Sequence, residues 1–303
     1  MPTDLLRSLS QAVLVVGLLY GAYTDLRRRE VSDRLWVVLG IAGAVLGLVD
    51  ALTRSITDAL LWVVVSVFVL EHMVPWDVAL ARRSENLPGI VEIVIYAAVG
   101  LLLAAEGLVH GIGPDGLPLT VLAVYAGVLF ARALFEVGVL YGGADAKALM
   151  VAGLLVPLDA APLLGLPASA TTILAVYPFT VSLLMDAAIF SASVPIYLAI
   201  RNAVRGDFEL PRGFTGYRIH VDELADRFVW LKDPTFDRDA EEEEVETTED
   251  DVALRRRQQA ELRARGVTRI WVTPQLPFIV FLAAGAVAAI VAGNLIFDLA
   301  ALL

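Results

Sequence analysis

The stretch "YGGADAKALMVAGLLV", residues 141–156, places an aspartate and a lysine directly before a run of apolar and small residues. Asp145 and Lys147 follow two glycines, and the run that begins at Ala148 contains no polar side chain. Charge at the edge of an apolar membrane segment is costly, and it usually marks a function. The stretch therefore indicates a membrane helix with a carboxylate at its N-terminal end, and it raises the question of what that carboxylate does.

The composition of the whole chain is that of a membrane protein. Of its 303 residues, 58% are hydrophobic, and the mean hydropathy is +0.71. Apolar runs near the roughly 20 residues that a helix needs to cross a bilayer recur along the chain. These runs are continuous rather than alternating, which argues against a barrel. We therefore predict an all-α polytopic membrane protein with about eight transmembrane helices. The predicted spans cover residues 8–24, 35–52, 58–74, 90–105, 118–140, 146–166, 170–200 and 276–302.

One polar region interrupts the apolar chain before the last span. We predict a transmembrane core over residues 1–201, a cytoplasmic region over residues 202–275, and a C-terminal span within residues 276–303. Inside the polar region, the acidic run "DRDAEEEEVETTEDD", residues 237–251, is typical of a disordered segment. The following stretch "VALRRRQQAELRARG" predicts a charged helix that ends at Gly266.

The distribution of basic residues predicts the orientation in the membrane. With eight spans and the loop of residues 25–34 in the cytoplasm, 20 of the 23 Lys and Arg residues fall on the cytoplasmic side. Cytoplasmic loops carry the excess of positive charge in membrane proteins. Both termini then lie outside, and Asp25 and Asp145 lie together at the cytoplasmic face.

Charge and residue usage exclude several classes of function. The net charge of −11 makes nucleic acid a poor partner. The absence of cysteine excludes disulfides and thiol catalysis. His72, His110 and His220 show no metal-site spacing, so we expect neither a metal nor another cofactor. Only Lys147 and Lys232 are lysines, and this acidic, arginine-rich chain suits the high-salt cytoplasm of a halophilic archaeon, although a GC-rich genome explains the arginines equally well.

Three of the aspartates in or beside the predicted spans are candidates for a function. Asp25 ends the first span within "YTDLRRREVSD", where it could simply face water beside its arginines. Asp145 opens the sixth span, where it could simply serve as the helix N-cap. Asp186 lies in the middle of the seventh span, and we favour a structural bond there, to Ser182 or to Arg132.

Other charged residues of the spans are expected to be structural. Arg132 and Glu136 are four residues apart on one helix, a spacing that lets the two charges neutralise each other. Glu71, His72 and Glu92 lie near span ends, from which their polar groups can reach the membrane interface.

Asp25 and Asp145 are the pair that best explains the charge at the membrane edge, because the orientation puts both at one depth. Two carboxylates held close together cannot both ionise readily, so one keeps a proton while the other becomes a base. Such a pair can activate water against a peptide carbonyl and protonate the leaving amine. The sequence therefore predicts an aspartic peptidase site.

These motifs resemble those of the type IV prepilin peptidase family, whose archaeal branch processes preflagellins. The first motif is Asp25 in "TDLRRREVS", where the aspartate is followed by Val31 and Ser32. "FTGYRIHVDELADRFVWL" and "WVTPQLPFIVF" are similar to the cytoplasmic segment and the start of the last helix in preflagellin peptidases. The second motif is of the G-x-G-D-x-K type, with alanine in place of the second glycine. It comprises Gly142, Gly143, Ala144, Asp145, Ala146 and Lys147.

The resemblance implies a membrane-embedded aspartic endopeptidase with Asp25 and Asp145 as the catalytic residues. It implies supporting roles for the motif residues Gly142, Gly143, Ala144 and Lys147. The substrates would be prepilin-like and prearchaellin precursors, each with a short basic leader before an apolar helix. Cleavage would fall just before that helix, at the cytoplasmic face of the bilayer, and the oligomeric state stays open.

Three other classes of protein remain open. A presenilin or signal-peptide-peptidase type of protease shares the glycine-rich aspartate motif, but the last spans contain no Pro-Ala-Leu stretch and Asp25 lies in a basic loop. A proton-coupled transporter would depend on Asp186 and Arg132 and on broken helices around residues 157–178. A purely structural membrane subunit would show no cleavage at all.

Overall fold

The computed structural model describes residues 3–73, 87–110, 117–140, 142–158, 177–231 and 248–301. The chain forms two compact units. The first unit comprises Met1–Ala188 together with Phe278–Leu303, and the second comprises Ile189–Pro277. In chain order the helices and strands are α1 (Thr3–Arg28), α2 (Asp33–Arg54), α3 (Ile56–Met73), α4 (Leu87–His110), α5 (Leu117–Glu136), α6 (Gly143–Leu155), α7 (Phe179–Ser191), α8 (Ser193–Val204), α9 (Arg212–Thr215), β1 (Tyr217–His220), β2 (Val229–Leu231), α10 (Thr248–Ala264), β3 (Arg269–Pro274), α11 (Phe278–Val291) and α12 (Leu295–Ala301).

The predicted class, a helical multi-pass membrane protein, is confirmed. Within the described residues, five helical segments are long and apolar enough to cross a membrane. The predicted total of eight spans stays a prediction. The five segments are Asp4–Arg28, Asp33–Arg54, Ile56–Met73, Leu119–Glu136 and Phe179–Val204.

Three of the predicted spans differ from the observed helices, each beside a residue that interrupts regular hydrogen bonding. α6 ends at Leu155, just before Pro157, and the rest of that predicted span lies outside the described residues beyond position 158. The seventh predicted span covers α7 and most of α8, which are separated at Ala192 because Pro195 has no N–H for a bond one turn back. Residues 170–176 of that span lie outside the described residues.

The last predicted span is also two helices rather than one. α11 ends at Val291, and Gly293 adopts a φ of 93°, which a helix does not accommodate. Asn294 then caps α12, because its Oδ1 accepts hydrogen bonds from the backbone N–H groups of Ile296 and Phe297 at 3.0 and 3.2 Å.

The centre of the first unit is the short helix α6. From Ala146 to Leu155 every residue except Lys147 is buried. α6 packs against α1, α2, α3, α5 and α11. A helix that is apolar on all sides is typically enclosed by protein, which is the case for the stretch "ALMVAGLLV". The N-terminal turn of this enclosed helix carries Asp145.

The second unit contains the polar region, and it adds a small sheet that the sequence analysis did not predict. The three antiparallel strands are arranged in the order β1–β3–β2, with Tyr217 opposite Val272 and Trp230 opposite Thr273. The strands are short and lack a long alternating pattern, so their pairing depends on contacts distant in sequence. The core of this unit is formed by Ile219, Val221, Leu224, Val229, Leu262, Ile270 and Val272.

The predicted charged helix of the second unit is observed as α10. Gly266 follows it with a φ of 72°, and the N–H of Val267 donates to the carbonyl of Leu262 at 3.1 Å. This is the helix ending that glycine favours. Residues 237–247 of the predicted acidic run lie outside the described residues, whereas the last four, from Thr248, form the first turn of α10.

Candidate active site

Asp25 lies in the last turn of α1, where the chain reverses direction. Arg29 has a φ of 57°, in the left-handed region, and its N–H donates to the carbonyl of Asp25 at 2.9 Å. This turn brings the Arg29 guanidinium close enough for its positive charge to act on the half-buried Asp25 carboxylate. Three residues after Arg29, Ser32 caps α2 through its Oγ, and Val31 packs against the core.

Asp145 is the third residue of α6. The N-cap position is occupied by Gly142, which has no side chain to cap with, so the N-cap alternative for Asp145 is wrong. The carboxylate instead lies in the first turn, where the unpaired N–H groups of a helix favour negative charge. Asp145 is therefore held at the electropositive end of the buried helix.

The two glycines before Asp145 have different surroundings. A Cβ at Gly142 would lie 2.9 Å from Oδ2 of Asp145, although the Gly142 backbone, with φ −98° and ψ 124°, suits any residue. Gly142 thus leaves space for the carboxylate rather than making a special turn. A Cβ at Gly143 would meet no atom within 4 Å, so this side of the motif is open. Ala144, which replaces the second glycine of the motif, packs against the core with its methyl group.

The structure brings the carboxylates of Asp25 and Asp145 together. α1 packs directly against α6, and the negative charge of Asp25 acts on Asp145 across this contact. Asp145 lies outside the five spanning segments, and burial together with the Asp25 charge raises its pKa to about 7. A carboxyl group with this pKa is divided between its protonated and ionised forms near neutral pH.

Lys147 pairs with an aspartate that the sequence analysis did not single out. Its Nζ donates to Oδ1 of Asp33 at 2.6 Å, and Asp33 is the first residue of α2. The signal in the sequence was available, because Lys147 is one of only two lysines and Asp33 closes the same loop that begins at Asp25. The ion pair therefore joins α6, which carries Asp145, to the start of α2, which follows the turn after Asp25.

Asp186 has a structural contact in the membrane core. Its side chain is fully buried, and Oδ1 accepts a hydrogen bond from the backbone N–H of Leu295 at 2.9 Å. Nearby, Ser182 Oγ accepts from the side-chain amide of Asn294 at 3.1 Å. Asp186 therefore holds the first turn of α12, which is a structural role, through a bond to Leu295, a partner that the sequence analysis did not name.

The remaining charged residues of the predicted spans belong to a network that is separate from the contacts of Asp186. The predicted pair of Arg132 and Glu136 is confirmed, with Nε and Oε1 at 3.5 Å, and Arg132 also donates to the hydroxyl of Tyr96. His72 contacts the same hydroxyl at 3.0 Å and the carbonyl of Phe68 at 2.8 Å. The expectation that His72 reaches the interface is wrong, because its side chain is only 7% exposed. The side chain of Glu92 lies outside the described residues.

His72 links three helices through its ring. A carbonyl oxygen can only accept, so Nδ1 of His72 carries the hydrogen that bonds to the Phe68 carbonyl. Nε2 contacts the Tyr96 hydroxyl, which also accepts from Arg132. His72 thus bridges α3, α4 and α5, which supports a structural role.

Fold and site together define a class of protein: a multi-pass helical membrane protein with two neighbouring aspartates at the ends of two helices. Residues 209–295 match the family described as archaeal peptidase A24 C-terminus, type II. The match covers less than a third of the chain and bears out the predicted resemblance to the archaeal prepilin and preflagellin peptidases. No curated protein matches the chain. Asp25 and Asp145 both lie outside the matched residues.

Proposed function

We propose that this protein is a membrane-embedded aspartic endopeptidase that uses Asp25 and Asp145. The observation that carries the proposal is the approach of these two carboxylates, which come from distant positions on α1 and α6 and interact through their charges. The match of residues 209–295 to a peptidase family supports the reaction class.

The chemistry follows from the unequal protonation of the pair. The protonated carboxyl, which we assign to Asp145, donates to the carbonyl oxygen of the scissile peptide. The ionised carboxylate of Asp25 takes a proton from water, and the resulting hydroxide forms a C–O bond to the carbonyl carbon. The C–N bond then breaks as the departing amine takes up the proton that Asp25 holds, and one of the two hydroxyl groups on the carbon returns a proton to Asp145 as the C=O bond forms again.

The proposed substrates are prepilin-like and prearchaellin precursors. Their apolar helix would lie in the bilayer against the enzyme, and their basic leader would remain in the cytoplasm. The scissile bond would then reach the level of Asp25 and Asp145. The open side at Gly143 supports this arrangement, because a substrate backbone can approach the first turn of α6 there without meeting a side chain.

A cleavage assay tests the proposal. The full-length protein in membranes is mixed with a precursor that carries a short basic leader before an apolar helix. Asp25→Asn and Asp145→Asn should each lower the cleavage rate by roughly 100-fold or more, because each removes one half of the acid–base pair. Asp58→Asn, at the start of α3, is the matched control and should cleave like the wild type.

The products distinguish the alternatives. Mass spectrometry of the fragments should locate the cut directly before the apolar helix, whereas a presenilin-type enzyme would cut within it. Near wild-type cleavage by Asp25→Asn or Asp145→Asn, at normal protein level, would refute the assignment of the pair. A wild-type protein that cleaves no precursor would refute the peptidase itself.

A further inference from the structure

The spanning segment Phe179–Val204 continues directly into an exposed loop of the second unit, residues 205–215, here called the interfacial loop. The last helix of that segment, α8, exposes Ile196, Tyr197, Ile200 and Val204, and Val204 is 82% exposed. Large apolar side chains on the surface of a spanning helix face lipid. The spanning segment therefore presents an apolar surface up to the point where the interfacial loop begins.

The interfacial loop has a built structure. Asn202 of α8 is fully buried, and its side-chain amide donates to the carbonyls of Gly213 and Gly216 at 2.9 and 2.8 Å. Asp207 is bound by Arg269 of β3, with Oδ2 and Nη2 at 2.5 Å. These contacts fix the beginning of the loop to the sheet and its end to α8.

This fixed loop presents apolar side chains outward. The rings of Phe208 and Phe214 pack edge to face with centroids 5.5 Å apart, and both remain about 40% exposed. A Cβ at Gly213 would lie 2.7 Å from the Phe208 ring, so the glycine allows this packing. Leu210 is 75% exposed. Water would disfavour an apolar cluster held in this way, whereas a bilayer would accept it.

The acidic and the basic residues of the loop have different surroundings. Its two acidic residues are neutralised from the sheet, Asp207 by Arg269 and Glu209 by Arg218. The two basic residues, Arg205 and Arg212, are exposed, and their guanidinium groups have no acidic partner among the described residues. The outward face of the loop is therefore apolar and cationic.

We propose that the interfacial loop anchors the second unit to the bilayer surface: Phe208, Leu210 and Phe214 enter the membrane, and Arg205 and Arg212 bind the phosphates of anionic lipids. Leu210 is six residues from the end of the spanning segment, a distance of at most about 20 Å even for extended chain. The loop therefore cannot leave the neighbourhood of the bilayer. Aromatic side chains beside a polar headgroup region, together with unpaired arginines, match that environment. This inference does not depend on the proposed peptidase activity.

Spin labelling of the full-length protein in lipid vesicles tests the apolar part. The chain contains no cysteine, so Leu210→Cys creates a single site for a nitroxide label, and Ala260→Cys on the exposed side of α10 is the control. Collisions of the label with two reagents report its surroundings, because molecular oxygen concentrates in the bilayer and a nickel chelate stays in water. The label at position 210 should collide mainly with oxygen, and the label at position 260 mainly with the chelate. Equal access of the chelate to both labels would overturn the proposal.

Lipid composition tests the cationic part. Vesicles of phosphatidylcholine are compared with vesicles that also contain phosphatidylglycerol, and the label at position 210 should lie several ångströms deeper in the anionic vesicles. Arg205→Gln with Arg212→Gln should abolish this difference, whereas Arg256→Gln with Arg257→Gln on α10 should retain it. A depth that is independent of phosphatidylglycerol would overturn the role of the two arginines. Dipolar broadening between labels of different molecules would show that the loop binds a second copy and would overturn the lipid assignment.

Discussion

Lys147 and Asp33 connect the two segments that carry the candidate catalytic aspartates. Lys147 follows Asp145 by two residues, Asp33 follows Asp25 by eight, and the Nζ–Oδ1 distance is 2.6 Å. The two side chains are 20% and 52% exposed, so the ion pair contributes little to the free energy of unfolding. Its main effect is geometric, because it ties the start of α2 to the first turns of α6.

Reversing both charges of this ion pair should preserve the cleavage activity that is lowered when only one charge is reversed. Lys147→Asp and Asp33→Lys each place two like charges together, so each should lower kcat for precursor cleavage by roughly tenfold, since small displacements of catalytic groups are costly. The double variant restores an opposite pair and should recover most of kcat. Cleavage kinetics and protein level in membranes are the measurements. A double variant as slow as the single variants would show that the pairing of charges does not matter.

Gly142 and Gly143 should differ sharply in their tolerance of a methyl group. Gly142→Ala places a Cβ 2.9 Å from the Asp145 carboxylate and must displace it, so cleavage should fall roughly 10- to 100-fold. Gly143→Ala meets no atom of the protein, so stability and the cleavage rate at saturating precursor should stay near wild type. Its methyl group narrows the side from which the substrate backbone approaches, so KM should rise. The comparison needs the cleavage rate and a thermal unfolding curve for each. Equal rates for the two variants would contradict the stated role of Gly142.

Neutralising Asp145 should make the protein more stable in alkaline solution. The pKa of Asp145 is about 7 in the folded protein, above its ordinary value of 3.8, so the folded state holds the proton more strongly than the unfolded state. Stability is therefore lost as pH rises from about 4 to 7. Asp145→Asn removes this loss, and its Tm should exceed that of the wild type by several degrees at pH 8 but not at pH 4. A lower Tm than the wild type at pH 8 would contradict the buried, repelled carboxylate.

Precursor cleavage by the wild type should depend on the proton that Asp145 holds. Precursor cleavage should decline above about pH 7, because Asp145 then loses the proton that it donates to the scissile carbonyl. A pH–rate profile with saturating precursor provides the measurement. A rate that keeps rising to pH 9 would show that the protonated carboxyl is not required.

Asp186 should prove important for its hydrogen bond rather than for its charge. Asp186→Asn keeps an oxygen that can accept from the Leu295 N–H, so stability and cleavage should both change little. Asp186→Ala removes the acceptor and should cost about 1 kcal/mol in the free energy of unfolding. Thermal unfolding of both variants measures this difference. Loss of all activity in Asp186→Asn at normal stability would favour a role for the charge, as in a proton-coupled transporter.

Patterns within short stretches of the sequence predicted much of this protein. The spanning helices follow from apolar runs, because a bilayer requires long segments whose backbone groups bond internally. The end of α10 follows from Gly266, whose φ of 72° suits glycine. The same reasoning failed at Gly293, where a single residue ends a helix inside the last predicted span.

The sequence by itself determined that the chain crosses the membrane and which two aspartates stand at helix ends, since hydropathy and local motifs are properties of consecutive residues. Only the tertiary structure decided that α1 packs against α6 and so brings Asp25 beside Asp145. It likewise decided that Lys147 meets Asp33 across 114 positions of the chain. The physical reason is that such contacts arise from the packing of whole helices around the buried α6, and no local pattern encodes which helix ends will meet.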